Sequence, residues 1–284
     1  MTRRATGVLS MTSIVLVAAF VAGCGEDGDG QSCGNGRIEG SEACDDGCLN
    51  GTRGQCKTDC SGVPAEVSVS GDAIPFNVSP DARLQGARIS ILEHPEMRVT
   101  TGADGHFQFD GLEEGEEVTL LMELPNIRPA FNYHLIQTGT IRLGPQGAER
   151  VTFQAVNYPT YLLLAALLGM EPDEENSCQM VTTVTRVGKS LYDEGAHGEA
   201  GATVTLDPPL PADHGPIYFG ADVIPNRDLT ETSEDGGVLF VQVPPGEYVW
   251  TASKPGVEFR PVKMKCRSGW LVNASPPWGL QALE

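Results

Sequence analysis

The chain has 284 residues, 38 of them acidic against 19 basic, for a formal net charge of −19. So negative a surface repels nucleic acid and anionic lipid and favours solubility. The 34 glycines and 20 prolines punctuate the chain too often for long helices, and point to β-structure with many turns.

The chain opens with Arg3 and Arg4 and no acid, then an apolar run centred on Ile14–Phe20. A positive end, an apolar centre and small residues before a cleavage point make a secretory leader. The run is too short and interrupted for the ~20 apolar residues of a membrane-spanning helix. It closes on Val21-Ala22-Gly23-Cys24, which resembles the lipobox of bacterial lipoproteins. The resemblance implies cleavage before Cys24, acyl chains on that cysteine and anchorage to a membrane, each buried CH₂ adding ~0.8 kcal/mol. Gly25, in place of an inner-membrane retention aspartate, implies the outer membrane, facing the periplasm or the exterior. Residues 1–23 are thus expected to be a leader. Residues 24–32, polar and Gly-rich, read as a flexible tether.

Five cysteines follow: Cys33, Cys44, Cys48, Cys56 and Cys60. Residues 33–62 are too few for an apolar core and must be stapled, and an exported chain favours disulfides over thiolate metal sites. With five cysteines the connectivity stays open. The run Cys33-Gly34-Asn35-Gly36, Glu42-Ala43-Cys44-Asp45-Asp46-Gly47, Cys56 and Cys60 resembles a cysteine-rich repeat common in myxobacterial surface proteins, with Cys48 as a departure. Asn35, Asp45 and Asp46 offer oxygen atoms of the kind calcium takes. The plainer reading is that Asn-Gly and Asp-Asp-Gly make turns. No other cofactor is expected.

Beyond residue 64 the chain repeats itself. Thr101, Asp104, Gly105, Phe109, Gly115 and Glu116 recur as Thr232, Asp235, Gly236, Phe240, Gly246 and Glu247, without gaps. Gly86–Ile91 likewise echoes Gly201–Leu206. So long a period means duplicated domains rather than a solenoid. Ile89 and Ile91, Val204 and Leu206, and Phe107 and Phe109 alternate at the period of half-buried strands. Asp-Gly supplies positive φ for the turn between them. The pattern resembles the carboxypeptidase regulatory-like domain, a transthyretin-like Greek-key sandwich; Tyr248 fits its aromatic position and Glu117 departs from it. The resemblance implies a stable module that is usually not catalytic.

The expected fold is therefore all-β: two Greek-key β-sandwich domains, residues 64–156 and 178–284, preceded by the disulfide-rich module. Residues 157–177 hold one short helix and an acidic linker. Thr160 is the expected cap and Gly169 the stop. The helix is apolar all round, which predicts burial, wedged against one or both sandwiches. Cys178 opens one predicted strand of the second sandwich and Cys266 ends a late one. They are the only cysteines beyond the N-terminal module, and the exported compartment is oxidising, so a disulfide between them is expected. Pairing of either with Cys48 is the alternative.

The sequence holds no Gly-x-Ser-x-Gly elbow, no His-Glu-x-x-His and no P-loop. His94 and Glu96 flank Pro95, which reads as a surface turn. Tyr133-His134 is similar to part of the ligand set of intradiol dioxygenases, but no His-x-His follows. His197 and His214 sit in loops. The expected function is a non-enzymatic cell-envelope module for binding, adhesion or scaffolding; the alternative is a metal-dependent β-sandwich enzyme. A ligand, carbohydrate or protein, would meet end loops such as Asp207–His214 and Asp222–Asp228. Exposed Trp250, Trp270 or Trp278 would favour carbohydrate, and buried ones plain packing.

Overall fold

A computed structural model describes residues 33–76, 81–124, 133–190, 193 and 197–283. Cys24, the leader and the tether lie outside the described residues. The chain divides into two compact units, Met1–Val63 and Pro64–Glu284.

The first unit is held by covalent bonds rather than by apolar packing. Cys33 bonds Cys60 and Cys44 bonds Cys56, with Cα atoms 5.6 and 5.7 Å apart. Cys56 and Cys60 are buried, so the half-cystines themselves form the small core. Cys48 is not free either. One turn of 3₁₀ helix spans Gly47–Leu49.

In the second unit the first half supplies β1 (Glu66–Pro75), β2 (Arg88–Ile91), β3 (Arg98–Thr100), β4 (His106–Glu113), β5 (Glu117–Glu123), β6 (Ile136–Arg142) and β7 (Phe153–Ala155). The helix α1 covers Tyr158–Leu167. The second half supplies β8 (Cys178–Thr185), β9 (Thr203–Asp207), β10 (Ile217–Phe219), β11 (Pro225–Asn226), β12 (Gly237–Val243), β13 (Gly246–Ser253), β14 (Val262–Cys266), β15 (Leu271–Asn273) and β16 (Leu280–Gln281). The fold is nearly all β, as two sandwich-like halves.

The duplication is visible in the pairing. β1 runs antiparallel to β4, and β8 to β12. β2 pairs antiparallel with β5 and β5 with β6; β9 pairs with β13 and β13 with β14 in the same way. A strand then adds parallel to the first of each half, β7 on β1 and β15 on β8. Phe109 stands opposite Val69, and its counterpart Phe240 opposite Met180.

The repeated residues do the same work twice. Thr101 Oγ accepts from Ala87 N at 3.0 Å and donates to Leu84 O at 2.5 Å; Thr232 Oγ accepts from Ala202 N at 2.9 Å and donates to Glu199 O at 2.5 Å. Both threonines are 3% exposed. Gly105 and Gly236 have φ of +68° and +76°. A Cβ there would stand 2.8 Å from Ala73 O and 2.3 Å from Val184 O, so the turn needs glycine for space as well as for φ.

Each half has its own core. One is built on Ile89, Ile91, Phe107, Phe109, Leu120 and Phe153. The other is built on Met180, Phe240, Trp250, Met264 and Val272. The halves nonetheless share a sheet. β6 pairs parallel with β15, Ile136 opposite Leu271, and meets β14 where Thr140 faces Lys263. Leu271 belongs to the first core. Ion pairs Lys263–Glu117 and Lys265–Glu93, each 2.7 Å, cross the same junction.

Candidate functional site

In the small unit the calcium candidates all serve the backbone. Asp45 Oδ2 accepts from the N–H groups of Gly34, Asn35 and Gly36 at 3.0, 3.0 and 3.1 Å. Its Oδ1 accepts from Gly47 N at 2.8 Å and from the Asn50 amide at 2.9 Å. Asp46 Oδ2 accepts from Cys56 N at 2.7 Å, and Asn35 Oδ1 from Arg37 N at 2.8 Å. Desolvation pushes the Asp45 carboxyl up, but the hydrogen bonds from Gly47, Asn50, Gly34 and Gly36 outweigh it and hold it below its ordinary value. Its lone pairs face N–H donors, the arrangement of a loop organiser. Glu42, Asp45 and Cys60 also converge, but the Cys60 sulfur is in a disulfide and offers no thiolate.

The structure brings Cys178 and Cys266 together as a disulfide, Cα atoms 5.7 Å apart, linking β8 to β14. His94 sits in a turn, 3.8 Å from Glu96 and 3.6 Å from Glu116. His106 meets Asp72 at 3.0 Å, and His214 Nδ1 meets Val241 O at 3.0 Å. Trp250 and Trp270 are buried and Trp278 is half-buried. None of the three forms an exposed aromatic platform for carbohydrate: Trp250 fills the second core, Phe240 meeting it edge-on at 4.9 Å, and Arg267 lies over the Trp270 ring.

The helix departs most from expectation. Asn157, not Thr160, caps it, accepting from Thr160 N at 2.9 Å. Gly169 ends it at φ +66°. Only Tyr161 and Ala165 are buried, Tyr161 as part of the first core. Leu162, Leu163 and Leu167 stand 43%, 60% and 57% exposed, with Tyr158 at 37%. Ala166, between them, is exposed too. These positions fall on one face at helical spacing. No charged side chain occurs from Asn157 to Met170, and four acids follow at Glu171, Asp173, Glu174 and Glu175.

Beneath α1 lies a polar seat that sequence spacing could not assemble. Its parts come from the approach to β6, from the helix and from the acidic linker. His134 is buried, its ring 4.2 Å from that of Tyr161 and stacked at 6.2 Å on that of Tyr158. His134 Nδ1 lies 3.0 Å from Leu135 O, and Nε2 lies 3.5 Å from Glu174 Oε1. Burial, then the Glu174 charge, pushes the Tyr161 phenol far up. Burial, then its hydrogen bond to Glu174, raises Tyr158. Both phenols therefore stay protonated and act as hydrogen-bonding groups.

Among the described residues no helix is long and apolar enough to cross a membrane. No family model matches the chain, and no curated protein matches it. Among solved structures it is similar to the TIE protein of Bacillus anthracis, at 12% identity over 75% of this chain with a TM-score of 0.27; it spans 34% of that protein's length. It is also similar to the D295N mutant of the shaft pilin SpaA from Lactobacillus rhamnosus GG, at 12% identity over 78% of this chain and 99% of that one, TM-score 0.22. A third is the minor pilin GBS52 of Streptococcus agalactiae, at 10% identity over 76% of this chain and 94% of that one, TM-score 0.24. At these scores the likenesses are distant, and the fold and site described above stand on the chain's own geometry.

Proposed function

We propose that this protein is a non-enzymatic cell-envelope module for adhesion or scaffolding, which meets a protein partner through the open face of α1. The observation that carries the reading is the row Leu162, Leu163 and Leu167, left in water on a strongly acidic molecule. A contiguous exposed apolar patch is uncommon on a monomeric soluble protein and marks contact surfaces. Catalysis finds no comparable support: His94 and His106 are engaged in surface pairs and His214 with a backbone carbonyl.

The same reading holds that the chain is exported and retained through acyl chains on Cys24, at the outer membrane. The lipobox-like run and the disulfides, which suit an oxidising compartment, support it.

The test displays the protein on cells that lack it. Wild type should promote cell–cell or cell–surface attachment, and the pair Leu163→Glu and Leu167→Glu should lower it at least tenfold at equal surface amount. Attachment that ignores the pair would sink the reading.

A further inference from the structure

We propose that the partner met by α1 is a basic amphipathic helix, whose apolar stripe seats on Leu162, Leu163 and Leu167 and whose lysines or arginines meet the acidic linker. This rests on the reading of α1 as a docking face and adds the partner's chemistry. The stripe comes first. Leu163 and Leu167 stand four residues apart, as do Leu162 and Ala166, and Tyr158 continues the row one turn back. A helix with apolar side chains at the same three- and four-residue spacing lays its own ridge along such a row.

The sign of the partner's charge comes from the end of α1. Glu171, Asp173 and Glu175 are exposed just beyond the helix. Among the described residues no lysine, arginine or histidine pairs with any of the three. Asp173 accepts only from the uncharged Asn176, whose amide lies 3.0 and 3.1 Å from its two oxygens. The fourth acid, Glu174, is turned inward to His134. Elsewhere acids are matched: Glu93 by Lys265, Glu117 by Lys263 and Glu199 by Lys254. The negative end of the helix dipole adds to the three unmatched acids. The other end of the row carries no charge from Asn157 onwards. The field is therefore one-sided, and it sets the direction in which a basic helix lies as well as its sign.

Two other occupants fit less well. A second copy would bring the same unmatched acids and a further net charge of −19. A standard interface also buries about 800 Å² on each partner, more than three partly exposed leucines and one tyrosine supply. An anionic lipid surface is repelled by the same acids.

The test uses the purified mature protein with its disulfides intact and three synthetic peptides of about 15 residues, the length at which isolated helices begin to form. Two share one leucine stripe, flanked at one end by lysines or by glutamates; the third scrambles the lysine peptide so that no stripe remains. The striped lysine peptide should bind one per chain, and the other two at least tenfold more weakly. Leu163→Glu with Leu167→Glu should abolish that binding. Glu171→Gln with Glu175→Gln should weaken it at least fivefold and flatten its salt dependence, because exposed charges are screened by salt. The same loss of charge at the exposed loop residues Asp213→Asn and Asp228→Asn should leave it unchanged. Equal binding of the lysine and glutamate stripes overturns the proposal, and equal binding of the scrambled peptide means charge alone. Capture of neutral phosphatidylcholine vesicles through the leucines, with no preference for the lysine stripe, would make the face a lipid contact and overturn it too. Cell attachment separates the two readings. If the leucine pair abolishes attachment while lysine and glutamate stripes bind alike, docking by α1 stands and this partner chemistry fails. If attachment ignores the leucine pair, the docking reading fails and this proposal with it.

Discussion

Single side chains carry the duplicated unit, and single substitutions should reveal it. Thr101→Val keeps the shape and strands the Ala87 N–H and the Leu84 carbonyl in a buried place. It should cost about 1–3 kcal/mol in denaturant unfolding, and Thr232→Val should cost a similar amount. Gly236→Ala should cost more than Gly105→Ala. Both need a left-handed backbone, worth about 1–2 kcal/mol, but the new methyl meets a strand carbonyl at 2.3 Å in one and 2.8 Å in the other. Equal losses would mean that φ alone sets the requirement.

In the small unit Asp45 sets a pH response. Its carboxyl is lower in the fold than in the unfolded chain, whose value is near ~3.9. Its stabilisation is therefore complete above that value and fades as pH falls through the lower folded one. Asp45→Asn should resist proteolysis less at neutral pH and lose the acid dependence of that resistance. These residues were legible in the sequence because Asp-Gly and Asn-Gly announce turns. That Asp45 gathers N–H groups from Gly34 to Gly36 was not, because a disulfide pattern decides which turns face each other.

At the scale of elements, the strands were legible from period-two alternation around Ile89, Phe107, Val204 and Phe240. The helix was legible in extent but not in burial. Its all-round apolar sequence predicts a cover on every side, yet only the stripe of Tyr161 and Ala165 is buried. Tyr161→Ala, which empties the covered stripe, should cost about 3 kcal/mol or more. The pair Leu163→Glu and Leu167→Glu should change stability by less than about 0.5 kcal/mol per site. A large loss from the second pair, measured by thermal unfolding, would show that those leucines pack inside the molecule. The Cys178–Cys266 bridge closes 88 residues. In the chain-entropy view, Cys178→Ala with Cys266→Ala should cost roughly 4–5 kcal/mol. Non-reducing peptide mapping of the native protein checks the pairing itself.

Over the whole molecule, the decisive feature is the one least visible in the sequence. Nothing in the duplicated pattern says that β6 pairs with β14 and β15, because pairing between repeats leaves no local signal. Yet that sheet, the shared Leu271 and two ion pairs join the cores of the second unit. Residues 64–284 should therefore unfold in one calorimetric transition; two well-separated transitions would show the halves to be energetically independent. Exchange of Lys263 or Lys265 for Gln should matter little, since partly exposed pairs contribute only about 0–1 kcal/mol. At this scale too, Cys24→Ser should move the protein from the membrane to the soluble fraction. An unmodified Cys24, or one found in a disulfide, would refute the lipid anchor.

The proposed partner contact is the open face of α1. The most direct measurement places a photo-activated cross-linking side chain at Leu163 on living cells, with Val249, also exposed, as the control position. A discrete protein adduct at 163 and none at 249 is the predicted result. No adduct at 163, or the same adducts at both positions, would contradict it.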